Sequence, residues 1–315
     1  MDLVGAIDIG ATKVVVTVRP LPLTAWRPGG HILRVPTPRD PEACADVLAE
    51  ALHELASRSG GVVVAVGCGT PGPLDVDSGI IIRSPNQNWE MVPLGPMLEA
   101  RLHVPVRLDD DANSGGLGES ALGAGRGTSS SVYVALGTGL GTGIMLDGRV
   151  WRGAHAAAGE FGHLVVDPRG PRCACGHRGC VEAFAAGAGI ARRIESAWPS
   201  GRRADGSPAP ASPAAVFAAA RAGDAEARAI VEDGVEALAR CFAMIAAALD
   251  PDLIIVGGSV GVGQRRYVRH AASRARNYCL DEAGLAMRVV TAALGNESVL
   301  AGAAVLGARA AEGRG

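Results

Sequence analysis

Aromatic side chains make up only 3% of this 315-residue chain, so Val, Ile, Leu and Ala must fill whatever core it builds. No run approaches the roughly 18 consecutive apolar residues that a membrane span requires. The start, MDLVGAIDIG, has neither a basic leader region nor a cleavable apolar stretch. The expected location is therefore the cytoplasm, with no membrane partner. Neither sign of charge dominates: 30 basic residues face 32 acidic ones, for a net charge of -2, which gives no electrostatic reason to expect nucleic acid or an anionic membrane. Lysine is nearly missing. Lys13 is the only one, and the other 29 basic residues are arginine. A compact ammonium differs physically from a forked guanidinium, and a single lysine at a turn beside a strand suggests a point charge meant for phosphate.

What is present is ordinary globular composition, 48% hydrophobic and 20% charged, in a chain long enough for two domains or one large one. The first segment, LVGAIDIGATKVVVTV, reads as strand, glycine turn and β-branched strand, a hairpin. A related pattern returns at 132–146, VYVALGTGLGTGIML, and two such hairpins, each opening about half of the chain, suggest a duplicated architecture. Between them lie a helical segment at 41–58, an apolar strand at 61–68 and the turn-rich GTPGPLD. Later come an Ala-rich helical tract, a Pro/Gly/Ser loop (WPSGRRADGSPAPASP) and a long amphipathic helix over 224–249 that ends at DPD. A buried strand with a glycine turn (LIIVGGSVG) and a last helix over 298–311 complete the chain. Strands and helices alternate in both halves, which makes the class α/β.

The glycines of GTGLGTG do not satisfy the dinucleotide spacing G-x-G-x-x-G, and DIGATK is too short for a P-loop. Both turns nevertheless offer bare backbone N–H groups beside small hydroxyl residues, Thr12 and Thr138, suited to phosphate oxygens. Three of the seven cysteines cluster in GHLVVDPRGPRCACGHRGCVE. In a reducing compartment such clustering favours a metal over disulfides. CGHRGC is too polar to be core, and His163 and His177 are both available as a fourth ligand. The four other cysteines stand in apolar contexts, as buried thiols do. VRLDDDANSGGLGE places three aspartates at a strand end, where a carboxylate could receive a proton.

In combination these motifs resemble the ROK family of bacterial sugar kinases, repressors and uncharacterised frames, from residue 5 to about 307. DIGATK resembles the first phosphate loop, D-x-G-G-T-K, with Ala11 in place of the second glycine. LGTGLGTG resembles the second phosphate loop, and IVGGSVG the glycine turn near adenosine. AGEFGH followed by CACGHRGCVE matches the zinc and sugar signature in every spacing. The resemblance implies an actin-like ATPase (ribonuclease H-like) fold, with the substrates in a cleft between two α/β domains. These would be residues 1–115 with 298–315, and 116–297.

It implies ATP contacts at Asp8, Gly10, Ala11, Thr12, Lys13, Gly137, Thr138, Gly139, Gly257 and Gly258. Sugar contacts are implied at Gly72, Asn86, Asp110, Asp111, Glu160, His163 and Glu182, with Asp111 as the catalytic base. A structural Cys3His zinc is implied at His163, Cys173, Cys175 and Cys180, which would aim Glu160, His163 and Glu182 at the substrate. Mg²⁺ would be held mainly by ATP phosphates and waters, with Asp8 in its outer shell. Asp110 departs from the family's Asn, which both donates and accepts where an ionised Asp only accepts. Ala186 replaces a common Ser. The implied activity is ATP-dependent phosphorylation of a hexose, glucose first, with a place in glycolysis, by a homo-oligomer (dimer or tetramer). Other sugars (N-acetylmannosamine, N-acetylglucosamine, mannose, fructose) are the alternative within enzymes. A repressor would need a helix-turn-helix ahead of the first hairpin, which here begins within a few residues of Met1.

Overall fold

The computed structural model describes residues 1–84 and 87–313. They form two compact units, residues 1–129, 143–151 and 292–315 in the first and residues 130–142 and 152–291 in the second.

The first unit opens with the expected hairpin, β1 (Asp2–Ile9) and β2 (Lys13–Pro20), followed by β3 (Ile32–Pro36). Helix α1 (Pro41–Arg58) covers one face of this sheet. Asp40 caps it by accepting from the Ala43 N–H at 2.8 Å, and Pro41 starts the first turn, an arrangement worth about 1 kcal/mol. Its apolar stripe of Cys44, Leu48, Leu52 and Leu55 packs with Ile7, Ile9, Val14, Val16 and Val66 into one core. Strand β4 (Val62–Thr70) pairs parallel to β1. From the end of the turn-rich GTPGPLD runs a small antiparallel sheet that the sequence reading did not place, β5 (Leu74–Asp75), β6 (Ile80–Ser84) and β7 (Trp89–Val92). After α2 (Leu94–Leu102), β8 (Val106–Asp110) pairs parallel to β4 and runs straight into α3 (Asp111–Leu122). The main sheet has the order β3-β2-β1-β4-β8.

The second hairpin is β9 (Ser130–Leu136) and β10 (Leu140–Leu146), followed by β11 (Arg149–Val150). The second unit, which takes β9 and the start of β10 to residue 142, also holds α4 (Val181–Ala185), α5 (Gly187–Ala197), α6 (Pro213–Ala222) and the long α7 (Ala225–Leu249). Asp224 caps α7 through the Ala227 N–H at 2.9 Å, and Asp250 ends it at φ 42° just before Pro251. Strand β12 (Leu253–Gly257), helices α8 (Gly258–Gly263), α9 (Arg265–Ala275) and α10 (Asp281–Ala286), and strand β13 (Val289–Thr291) follow. The second sheet has the order β11-β10-β9-β12-β13, with β12 parallel to both β9 and β13.

The last helix, α11 (Ser298–Ala311), returns to the first unit. It meets α3 backbone to backbone: a β-carbon on Gly302 would lie 1.6 Å from the Ser114 carbonyl oxygen. That contact keeps the whole of α3 in the first unit. The boundary therefore falls at 129, where the sequence reading divides the chain at 115. Among the described residues, no helix is long and apolar enough to cross a membrane.

Candidate active site

In the first unit the three parallel strands end side by side, and parallel sheets present ligand sites at their carboxyl ends. Register pairs Asp8 of β1 with Gly69 of β4, and Thr70 of β4 with Asp110 of β8. The sheet thus lines up Asp8, the loop carrying Gly72, and the Asp109–Asp111 run. Gly72 lies against Asp110, whose Oδ2 would stand 3.3 Å from a β-carbon at that position. Asp110 has a role that the sequence reading did not assign. It is the N-cap of α3, where its Oδ1 accepts from the N–H groups of Ala112 at 2.9 Å and Asn113 at 3.3 Å. Asp111 opens the first turn of that helix. Burial drives its proton affinity well above the usual carboxylate range, and the neighbouring charges of Asp110 and Asp8 add to the effect. Burial also raises Asp8, to about 6, against an opposing pull from Lys13.

The first glycine turn, Gly10 to Lys13, closes through the Gly10 N–H donating to the Lys13 carbonyl at 3.0 Å. Ala11, Thr12 and Lys13 are exposed. Asn86 lies outside the described residues.

In the second unit the two remaining glycine turns follow neighbouring parallel strands, since Gly257 pairs in register with Ala135. Gly137, Thr138 and Gly139 thus stand beside Gly257 and Gly258. The turn is tied down by the start of α5, whose Gly187 and Ala188 N–H groups donate to the Gly137 and Thr138 carbonyls, both at 2.9 Å. Glu182 joins it to the cysteine loop. Its Oε2 accepts from the Leu140 N–H at 3.0 Å, and its Oε1 lies 3.6 Å from Cys173 Sγ. A β-carbon at 139 would stand 2.8 Å from Glu182 Oε2, so a larger residue there would displace this carboxylate.

His163, Cys173, Cys175 and Cys180 bring one ligating atom each to within 4.8 Å of one another. His163 Nδ1 is 3.6 Å from Cys173 Sγ, and Cys175 Sγ is 3.6 Å from Cys180 Sγ. A tetrahedral zinc with bonds of about 2.3 Å to sulfur sets its ligands about 3.7 Å apart, so the donor set and its spacing fit that ion. His177 Nδ1 approaches Cys175 at 3.5 Å but is not one of the four. The opposite nitrogen of His163, Nε2, lies 4.0 Å from Glu160 Oε2, near but too far for a hydrogen bond.

Other polar residues that the sequence reading passed over hold the framework. Asp109 is fully buried and accepts from the Asp110 N–H at 2.9 Å and from Asn113 Nδ2 at 3.0 Å. Glu119, also fully buried, accepts from the N–H groups of Ala124, Ala293 and Leu294 and from Ser298 Oγ, at 2.8 to 3.1 Å. Their carboxylates are visible in DDDAN and GLGE, but three of the four partners of Glu119 lie 174 to 179 positions away, beyond any local pattern.

The ROK family model matches residues 4–310. The chain belongs to the ROK family. ROK sugar kinases have the actin-like ATPase fold, and this chain shares it. The glucokinase of Streptomyces coelicolor is 34% identical over 275 residues, 82% of this chain and 83% of that protein. The ROK hexokinase structure from Thermus thermophilus superposes with a TM-score of 0.83 at 34% identity, over 97% of both chains. A ROK glucokinase from Streptomyces griseus, solved with glucose and AMPPNP, does so with a TM-score of 0.77 at 30% identity, over 97% of this chain and 99% of that one. The relatives also include xylose repressors, matched over about half of this chain.

Proposed function

We propose that this ROK protein is a cytoplasmic, homo-oligomeric hexokinase that transfers the γ-phosphoryl group of ATP to glucose, giving glucose 6-phosphate and ADP. The observation that carries this reading is the carboxylate edge of the first unit. There a helix-opening Asp111, made basic by burial and by its neighbours, stands on the same strand ends as a glycine turn whose residues Ala11 to Lys13 are exposed. A repressor needs no such base.

Phosphoryl transfer asks the protein for alignment, charge neutralisation and a proton acceptor. As the sugar oxygen bonds to the γ-phosphorus and the bond to the β-phosphate oxygen breaks, the hydroxyl proton passes to Asp111. Asp110 keeps one oxygen on the helix cap, and its other oxygen, beside Gly72, accepts from a sugar hydroxyl. The Gly10–Lys13 turn and Lys13 hold phosphate oxygens, with Asp8 oriented toward the hydrated magnesium of ATP. When bound, that ion neutralises phosphate charge.

In the second unit Gly137, Thr138 and Gly139 hold phosphate, while Gly257 and Gly258 let backbone approach adenosine. His163, Cys173, Cys175 and Cys180 would hold a structural zinc that stiffens the loop presenting Glu160, His163 and Glu182 to sugar hydroxyls. Asn86 is assigned to the sugar by its motif alone.

A coupled phosphorylation assay across hexoses and amino sugars, with ATP and with polyphosphate, tests the reading. Glucose with ATP should give the highest kcat/KM. Preference for N-acetylmannosamine, N-acetylglucosamine, mannose or fructose would reassign the substrate. Sugar binding without turnover by any donor would make the chain a non-catalytic sugar sensor.

A further inference from the structure

The carbonyl of Gly10, at the start of the first phosphate turn, is held by two side chains from distant segments. Thr37 Oγ1 donates to it at 2.8 Å, and Gln87 Nε2 donates to it at 3.1 Å. A carbonyl oxygen has two lone pairs, and both are used. Gln87 is only 3% exposed, and its Oε1 accepts from Ser84 Oγ, so the amide is oriented with its nitrogen toward Gly10. A buried primary amide is costly unless it is paired, and here both ends are. Thr37 adds a second tie, its N–H donating to the Thr12 carbonyl at 3.2 Å.

Fixing this carbonyl fixes more than one atom. The peptide unit is planar and trans, so the Ala11 N–H points opposite to the Gly10 oxygen, away from Gln87 and Thr37. Among the described residues that N–H has no acceptor, and it belongs to the exposed part of the turn. We propose that Gln87 is a positioning residue for the nucleotide: by clamping the Gly10 peptide it aims the Ala11 N–H at a phosphate oxygen of ATP. The proposal rests on the kinase reading for its ligand.

Steady-state kinetics and the binding of a fluorescent ATP analogue test it. Gln87→Leu removes the donor at similar volume. It should raise KM for Mg-ATP about 5- to 10-fold, the scale of one hydrogen bond, and weaken analogue binding to match, while KM for sugar moves less than about twofold. Ser84→Ala, which frees the amide without removing it, should shift the same constants less. Thr37→Val should mimic Gln87→Leu, and Thr37→Ser should restore wild-type values. This pair reads the same carbonyl should Gln87→Leu fail to fold. A turning-over enzyme whose Gln87→Leu and Thr37→Val variants keep the wild-type KM for ATP would overturn the inference and leave the kinase reading intact. If the wild type phosphorylates no hexose yet binds the analogue, and Gln87→Leu weakens that binding, the kinase reading falls and the clamp stands.

Discussion

In the first unit Asp8, Asp110 and Asp111 stand at the ends of parallel strands whose pairing places them register by register. Asp110 also spends an oxygen on the cap of α3. In the second unit Glu160, His163 and the three clustered cysteines stand on residues 152–180, where the regular structure is a three-residue helical turn, Phe161–His163, and two isolated bridges. One set of groups is positioned by a sheet and its hydrophobic core. The other sits on a glycine-rich loop with a small core of Cys173, Cys180 and Ala183. The contrast teaches where a metal would matter to structure: hydrogen-bond ladders hold the carboxylates, whereas an irregular loop has few such ties and would gain most from a cross-link that offsets its ordering entropy.

The largest expected effect breaks chemistry without touching either support. Asp111→Asn should fold and bind sugar yet lose on the order of 10²-fold in kcat, the scale of a positioned general base. Near-normal turnover in a coupled assay would remove Asp111 from the mechanism.

Next in size is the cross-link. The purified protein should carry about one zinc per chain, and Cys175→Ser should lower zinc content, Tm and sugar affinity together. Elemental analysis beside calorimetry decides this. Full loss of metal with unchanged sugar affinity would show that the loop shapes nothing.

Much of this contrast is legible in the sequence, for different reasons in the two units. Both hairpins, α1, α7 and α11 follow from strand–turn patterns and helical periodicity, which are local signals. The four candidate metal ligands are legible because the cysteine motif resembles the family's signature, which implies His163 where the residues alone leave His177 open. The small sheet over 74–92 is hidden by its turn residues, and the extent of the first unit is set by Gly302 meeting Ser114 across 188 positions of sequence. The clamp on Gly10 is hidden in the same way: Gln87 and Thr37 are unremarkable polar residues until folding brings them to one carbonyl.

A smaller effect is expected at the only lysine. Mg-ATP should protect Lys13 from an amine-selective reagent, read by peptide mapping against the N-terminus, while sugar alone protects it much less. Lys13→Arg should keep the charge, lose the compact fit and weaken ATP use. Labelling indifferent to ATP, with a fully active Lys13→Arg enzyme, would return this residue to an accident of composition.

The smallest effect is at Asp110. Asn caps a helix as well as Asp does, so Asp110→Asn should leave the fold unchanged. It removes a negative charge that raises the proton affinity of Asp111, and the acid limb of the kcat/KM profile should move to lower pH. An unmoved profile would mean that the two carboxylates do not interact.

The two modes of support are separated most directly by hydrogen exchange measured by mass spectrometry before and after zinc is stripped with a chelator. The account predicts faster exchange across residues 159–182, with residues 2–20 and 106–122 unchanged. Unchanged protection of the cysteine loop in the stripped protein, or equal loss in both regions, would contradict it.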